Sequence, residues 1–180
     1  MENNEFNYCP DCGSKEIDTV NNSRKWKCRN CGFTLYNNVA SAVGLVIVNN
    51  RGEVLLEKRT REPRKGFLAF PGGFVDPDES LEDAAKRECM EEIGTELSSI
   101  EYIASFPNTY EYKKLVYKTC DVFFEAKIPT ETEFKFQQSE VAELVWMPCS
   151  TPEEVEKIPL AFNSAKQTLL KRLGRTYCIT

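Results

Sequence analysis

The chain has 180 residues, 41% hydrophobic and 28% charged, which suits a soluble globular protein with one ordinary domain and a small module. Its formal charge of −5 argues against a general nucleic-acid binder, because such binding leans on Lys and Arg to neutralise phosphates; nucleic acid is not the favoured partner. No run approaches the ~20 apolar residues of a membrane span, and the polar opening MENNEFNYCPDCG is not a signal peptide, so no membrane partner is expected and the cytoplasm is the expected compartment.

The first element is set by cysteine. Cys9-x2-Cys12, fifteen intervening residues, then Cys28-x2-Cys31 has the spacing of a four-thiolate zinc ribbon. Two CxxC knuckles at that separation let four sulfurs close a tetrahedron around one ion, and a chain with no histidine excludes a mixed Cys/His site. Disulfides or a redox pair are the competing readings. Gly13 and Gly32, each just after its second cysteine, supply the backbone freedom of knuckle turns. Residues 1–37 are therefore expected as a zinc ribbon with a polar hairpin around Val20–Arg24. Their five acidic and five basic residues cancel, so the net charge belongs to 38–180. The basic run Arg24, Lys25, Lys27 and Arg29 around Trp26 reads first as the solvated face of a hairpin. Cys89, Cys120, Cys149 and Cys178 are scattered and read as small buried hydrophobes.

The main domain, 38–180, opens with an apolar strand Ala42–Val48, a hairpin-type turn Asn49-Asn50-Arg51-Gly52 and a return strand Glu53–Arg59. A loop with Pro63 leads to a short strand Gly66–Phe70 and then Pro71-Gly72-Gly73. A helix is expected from Ser80 to Ile93, closed by Gly94. Glu101–Pro107 and Val116–Lys127 read as strands, the second with Cys120, Val122, Phe124 and Ala126 on one face. Pro129–Ser139 reads as a loop, Leu144–Met147 as a short strand, and Thr151–Glu156 and Ala161–Arg172 as helices, the last with Leu169, Leu170 and Leu173 as its apolar side. Strands and helices mixed in this order predict an α/β (α+β) sandwich with a mixed sheet.

The Ser80–Ile93 helix carries the chemistry. At roughly 100° per residue, Leu81, Ala84 and Ala85 define an apolar arc; Glu88 and Glu92 fall inside it, with Glu91 at its edge. Glu82, Asp83, Lys86 and Arg87 point elsewhere. Carboxylates aimed inward need a partner, since unpaired buried charge is costly, and a hard divalent cation with oxygen ligands is the most economical one.

Gly73–Thr95 resembles the box of the Nudix hydrolases at every fixed position: Gly73, Glu79, Arg87, Glu88, Glu91, Glu92 and Gly94. Cys89 and Thr95 stand at its hydrophobic positions, and Phe70-Pro71-Gly72 also resembles the family's approach to the box. The resemblance implies a Nudix-type α/β/α sandwich that hydrolyses a nucleoside diphosphate linked to another moiety, with Mg²⁺ or Mn²⁺ held by Glu88, Glu91 and Glu92. It further implies that Arg87 orients these carboxylates through ion pairs and that Glu79 lies behind them or binds the metal through water. The general base must then be another carboxylate, and Glu140 is favoured over Glu143. Lys58, Arg59, Arg61, Arg64 and Lys65 form a cationic cluster suited to an anionic substrate, and Phe67, Tyr110, Tyr112 or Phe162 could stack on a base. The residues chosen to contact substrate are Arg59, Arg61, Phe67, Gly72 and Gly73.

A ribbon followed by such a domain resembles the NADH pyrophosphatases and a short group of ADP-ribose and FAD pyrophosphatases. The NADH enzymes carry Ser-Gln-Pro-Trp-Pro-Phe-Pro beyond the box, where this chain has Ser105-Phe106-Pro107-Asn108-Thr109-Tyr110 without the Gln and Trp. They also carry more sequence ahead of the ribbon. Ile158–Ser164 resembles the short group more closely. The expected activity is hydrolysis of ADP-ribose or a related dinucleotide (FAD, NADH) to AMP, by a homodimer with structural zinc. The competing readings are a binding module for nucleic acid or protein, and a hydrolase of dinucleotide caps on RNA.

Overall fold

The computed structural model describes residues 7–20, 24–113, 115–129, 133–135 and 141–177. They form two units: residues 1–39 with 109–118, and residues 40–108 with 119–180. In the first unit, β1 (Ile17–Val20), β2 (Lys25–Cys28) and β3 (Thr34–Tyr36) make an antiparallel sheet. Trp26 pairs with Thr19 on one side and Leu35 on the other, and with Cys28 it forms the buried face. Lys25 and Lys27 alternate onto the opposite face, as the strand period requires.

The second unit is built from β4 (Ala40–Ile47), β5 (Glu53–Arg59), β6 (Leu68–Ala69), α1 (Leu81–Glu92), β7 (Ser99–Tyr112), β8 (Leu115–Lys127), β9 (Val141–Pro148), α2 (Pro152–Lys157) and α3 (Asn163–Tyr177), the tip of the β7–β8 pair belonging to the first unit. One sheet has the order β4-β8-β7, with β4 and β8 parallel; the other, β6-β5-β9, is antiparallel. Alternate residues of the same strands enter two cores. Val43, Leu45, Ile47, Leu55, Val122 and Phe124 pack with Ala84, Ala85, Cys89 and Ile93 of the α1 region. Val46, Val54, Leu56 and Phe123 pack with Val155 of α2 and Ala165, Leu169 and Leu173 of α3. Strands buried on both faces read as continuous apolar runs, and helices on both faces give the α/β/α sandwich with a mixed sheet.

The turn Asn49–Gly52 forms, with the Asn49 amide donating to the Glu53 carbonyl at 3.0 Å, but the expected hairpin does not. Only an isolated Val48–Val54 bridge joins its arms, because β4 takes β8 as its partner and β5 takes β6 and β9. The turn passes the chain from one sheet to the other. β7 also runs through Pro107, where a strand end was expected; an edge position in its sheet tolerates the missing amide donor. Leu169 and Leu173 are buried as expected, and so are Cys89 and Cys149, whose thiol pKa values burial raises, that of Cys89 to about 12. Cys120 is partly buried and Cys178 lies outside the described residues. Among the described residues, no helix is long and apolar enough to cross a membrane.

Candidate active site and metal centres

Helix α1 is fixed at both ends by its own sequence. The Ser80 hydroxyl caps the helix, accepting from the Asp83 amide at 3.1 Å and donating to the Asp83 carboxylate at 2.7 Å. Gly94, at φ 77°, donates to the Met90 carbonyl at 3.1 Å and closes the last turn in the left-handed conformation. Between the caps, the buried Ala84, Ala85 and Cys89 hold one face on the sheet, and that face continues into Glu88 (7% exposed) and Glu92 (6%). The Glu91 side chain is 52% exposed. The inward set expected from the helical period is the one observed.

Two glycines make room for these carboxylates. β4 pins their loop, the Val43 amide donating to the Gly73 carbonyl and the Leu45 amide to the Pro71 carbonyl, both at 2.8 Å. Gly72, at φ 143°, donates its amide to Glu92 at 2.6 Å, and a Cβ there would run into the Val43 carbonyl. A Cβ on Gly73 would strike the Glu88 carboxylate.

Arg87 was placed off the apolar arc, yet its long side chain folds back over the site. Its Nε and Nη2 donate to the two Glu79 oxygens, both at 2.9 Å. Its Nη1 reaches Glu88 at 2.8 Å and Glu91 at 3.3 Å, and Nη2 also donates to the Phe74 carbonyl at 3.0 Å. The guanidinium and the Asp76 amide hold the Glu79 carboxyl below the usual range, while these carboxylates raise Arg87 further above its own. Glu92 moves the other way. Burial first, then the neighbouring Glu57 and Glu88, push its pKa up to about 10, against the lowering effect of the Gly72 amide.

Glu57 was missed by sequence reasoning. It sits on β5, 4% exposed, against Glu92. The available signal was a carboxylate directly after the apolar run Val54–Leu56, on the same strand face as Leu55.

The other chosen residues divide by place. Arg59 ends β5, with its Nε on the Pro63 carbonyl at 3.0 Å and its guanidinium 5.3 Å from the Phe162 ring, so two candidates for substrate contact meet. Phe67 and Arg61 are exposed on the neighbouring loop. Glu143 pairs with Lys58, a register that turns it to the sheet face opposite Glu57 and α1. Tyr110 belongs to the first unit. Glu140 and the Tyr112 side chain lie outside the described residues.

The four cysteines form a second centre. Both knuckles make the same bonds: Gly13 to the Cys9 carbonyl and Cys9 to Ser14, then Gly32 to the Cys28 carbonyl and Cys28 to Phe33. Positive φ at Gly13 (71°) and Gly32 (79°) permits each turn. The Cys9–Cys31 and Cys12–Cys28 sulfurs are 3.7 Å apart, and all four lie within 4.8 Å of one another. A tetrahedron with metal–sulfur bonds of ~2.3 Å has edges of ~3.8 Å, so the cluster fits zinc and leaves no open position. Hydrogen bonds from the Asn30 side chain and Ser14 backbone pull Cys12 down to about 6; at Cys31 the Phe33 backbone lowers the value, but desolvation and the neighbouring thiols carry it up to about 12. Among the described residues, no carboxylate group is gathered as closely. The glutamates offer the hard oxygen donors a divalent cation prefers, and a single nitrogen of Arg87, Nη1, joins two of them, Glu88 and Glu91.

The NUDIX domain profile matches residues 39–170. The NAD-capped RNA hydrolase NudC of Deinococcus radiodurans is 27% identical over 90% of this chain and 55% of its own length. Nudix hydrolase 2 of Arabidopsis thaliana is 32% identical over 59% of this chain and 38% of its own. The chain thus spans about half or less of the length of these curated relatives. Among solved structures, the NUDIX domain of Shewanella oneidensis NrtR complexed with ADP ribose matches with a TM-score of 0.63 and 25% identity, over 78% of this chain and 90% of that one.

Proposed function

Because this chain belongs to the NUDIX domain family, we propose that it hydrolyses the pyrophosphate bond of a nucleoside diphosphate derivative, ADP-ribose or a related dinucleotide, to release AMP. In this reading, residues 1–37 are a structural zinc ribbon and 38–180 the hydrolase domain. The observation that carries it is the coupling of Arg87 to Glu79, Glu88 and Glu91 above the Gly72–Gly73 cradle. Glu88, Glu91 and Glu92 hold Mg²⁺ or Mn²⁺, which when bound screens the charge of the pyrophosphate and acidifies water. Glu79 anchors Arg87 through two hydrogen bonds, which keeps the guanidinium from closing fully over Glu88 and Glu91. The Gly72 amide orients Glu92. Arg59, with Phe162 behind it, and Arg61 and Phe67 on the adjoining loop meet the nucleotide, and Glu140 acts as the base.

The NrtR domain's ADP ribose supports this substrate class. A second reading, removal of a dinucleotide cap from RNA, is favoured by the Deinococcus relative, whose similarity runs through 90% of this chain. The experiment is turnover of ADP-ribose, NADH, FAD, diadenosine polyphosphates, 8-oxo-dGTP and NAD-capped RNA with Mg²⁺. Hydrolysis of ADP-ribose or another dinucleotide is expected; preference for capped RNA would support the second reading, and turnover of the triphosphate alone would overturn both.

A further inference from the structure

The guanidinium of Arg87 has five N–H groups, and all five are engaged: two on Glu79, one each on Glu88 and Glu91, and one on the Phe74 carbonyl. None is left for Glu92, the last glutamate of α1. Glu92 faces the loop instead, taking the Gly72 amide, and lies against the carboxylate of Glu57. The carboxylates around α1 therefore fall into an outer set tied to Arg87 and an inner pair, Glu57 and Glu92, that Arg87 does not serve.

The strand register shows that Glu57 is aimed at the helix. Paired residues of β5 and β9 share a sheet face, and Leu55 pairs with Trp146 as Glu57 pairs with Leu144. Leu55, Trp146 and Leu144 all pack in the core that includes Ala84, Ala85 and Cys89 of α1. Glu57 continues that row at the end nearest Glu92. Two carboxylates, 4% and 6% exposed, face each other where two apolar side chains would pack at lower cost.

We infer that Glu57 is a further carboxylate of the divalent-cation site, contributed by strand β5 and sharing with Glu92 the inner side of the bound ion. The inference rests on the pyrophosphohydrolase reading, which supplies the cation. It divides the labour in the site: Arg87 restrains Glu88 and Glu91, and Glu57 adds negative charge and a hard oxygen donor behind Glu92. A site with carboxylates from both helix and strand holds its ion against two rigid elements rather than one.

The test is Mn²⁺ titration of the zinc-loaded full chain, with free Mn²⁺ read by electron paramagnetic resonance. Glu57→Gln keeps the side chain's shape and removes its charge. It is expected to weaken Mn²⁺ binding about ten- to hundredfold, the cost typical of losing a supporting group at a metal site, with Glu57→Asp recovering part of the loss. Without Mn²⁺ or Mg²⁺, Glu57→Gln should melt at or above the wild-type temperature, because it replaces a buried ionisable carboxyl with a neutral side chain of the same shape. Wild-type affinity in Glu57→Gln would overturn the inference and leave the hydrolase reading standing. So would a lowered melting point in Glu57→Gln without recovery of binding in Glu57→Asp, the mark of a merely structural residue. A wild-type chain that binds no Mn²⁺ would overturn the hydrolase reading and the inference together.

Discussion

The cysteine cluster and the glutamate helix are both candidate metal centres, and they are built in opposite ways. Four sulfurs converge within 4.8 Å on two knuckles with matching hydrogen bonds, so little but the ion is needed to complete the cluster. The glutamates are spread along one helix, two buried and one exposed, and an arginine joins only two of them, Glu88 and Glu91. A closed tetrahedron of thiolates holds the backbone together; an open set of carboxylates can take up an ion together with a substrate. On the proposed reading, the difference separates an ion that folds a module from one that takes part in a reaction.

The sharpest break in that comparison is at the helix. Glu91→Gln and Glu92→Gln should each lower ADP-ribose turnover with Mg²⁺ by roughly 10²–10³-fold or more, on the scale of removing a preorganised electrostatic group, while circular dichroism shows an intact fold. Near-normal rates in both would remove the metal assignment. At the cysteines, native protein should contain one zinc per chain, and its selective removal should expose the amides of 24–36 to hydrogen exchange without directly abolishing Mg²⁺-dependent turnover. Protein purified without zinc would contradict the ribbon.

Smaller effects separate the two glycines. Gly72→Ala meets the Val43 backbone at a left-handed φ, so it should destabilise the domain by about 1–3 kcal/mol in chemical denaturation. Gly73→Ala meets only the end of the Glu88 side chain, which can turn away. It should therefore cost activity more than stability, and equal losses of stability would contradict the cradle.

The most gradual effect is a pH slope. With its folded pKa raised to about 10, Glu92 keeps its proton in the cation-free fold after the unfolded chain has lost it. The folded state then binds more protons, so its contribution favours stability below the unfolded carboxyl value and is lost progressively as pH rises toward 10. Melting of zinc-loaded protein without Mg²⁺ should show this decline, and saturating Mg²⁺ should flatten it. Mg²⁺ binding should also tighten with pH, since the ion displaces that proton.

Much of both centres is legible in the order of residues. The CxxC pairs fit a tetrahedron because each knuckle is a local turn, and Glu88 and Glu92 face inward because the helical period places them with Ala84 and Ala85. Glu57 was hidden because β5 gives no local sign of which side chain lies opposite it. The turn at Asn49–Gly52 was visible, but the partners of its two arms were not, since they come from β8, β6 and β9, far along the chain. Arg87 shows the same limit on a smaller scale: its place on the helix follows from the period, its folded-back side chain from the acceptors around it.

By itself, then, the sequence determined everything that depends on near neighbours: the caps of α1, the knuckles, the inward glutamates and the glycines beside them. Tertiary structure alone decided which strands share a sheet, how the five donors of Arg87 are divided, and that a strand carboxylate meets Glu92. The physical reason is range. Periodicity, turn geometry and capping act over a few residues, whereas strand pairing and buried charge are settled between segments whose separation in sequence says nothing of their distance in space.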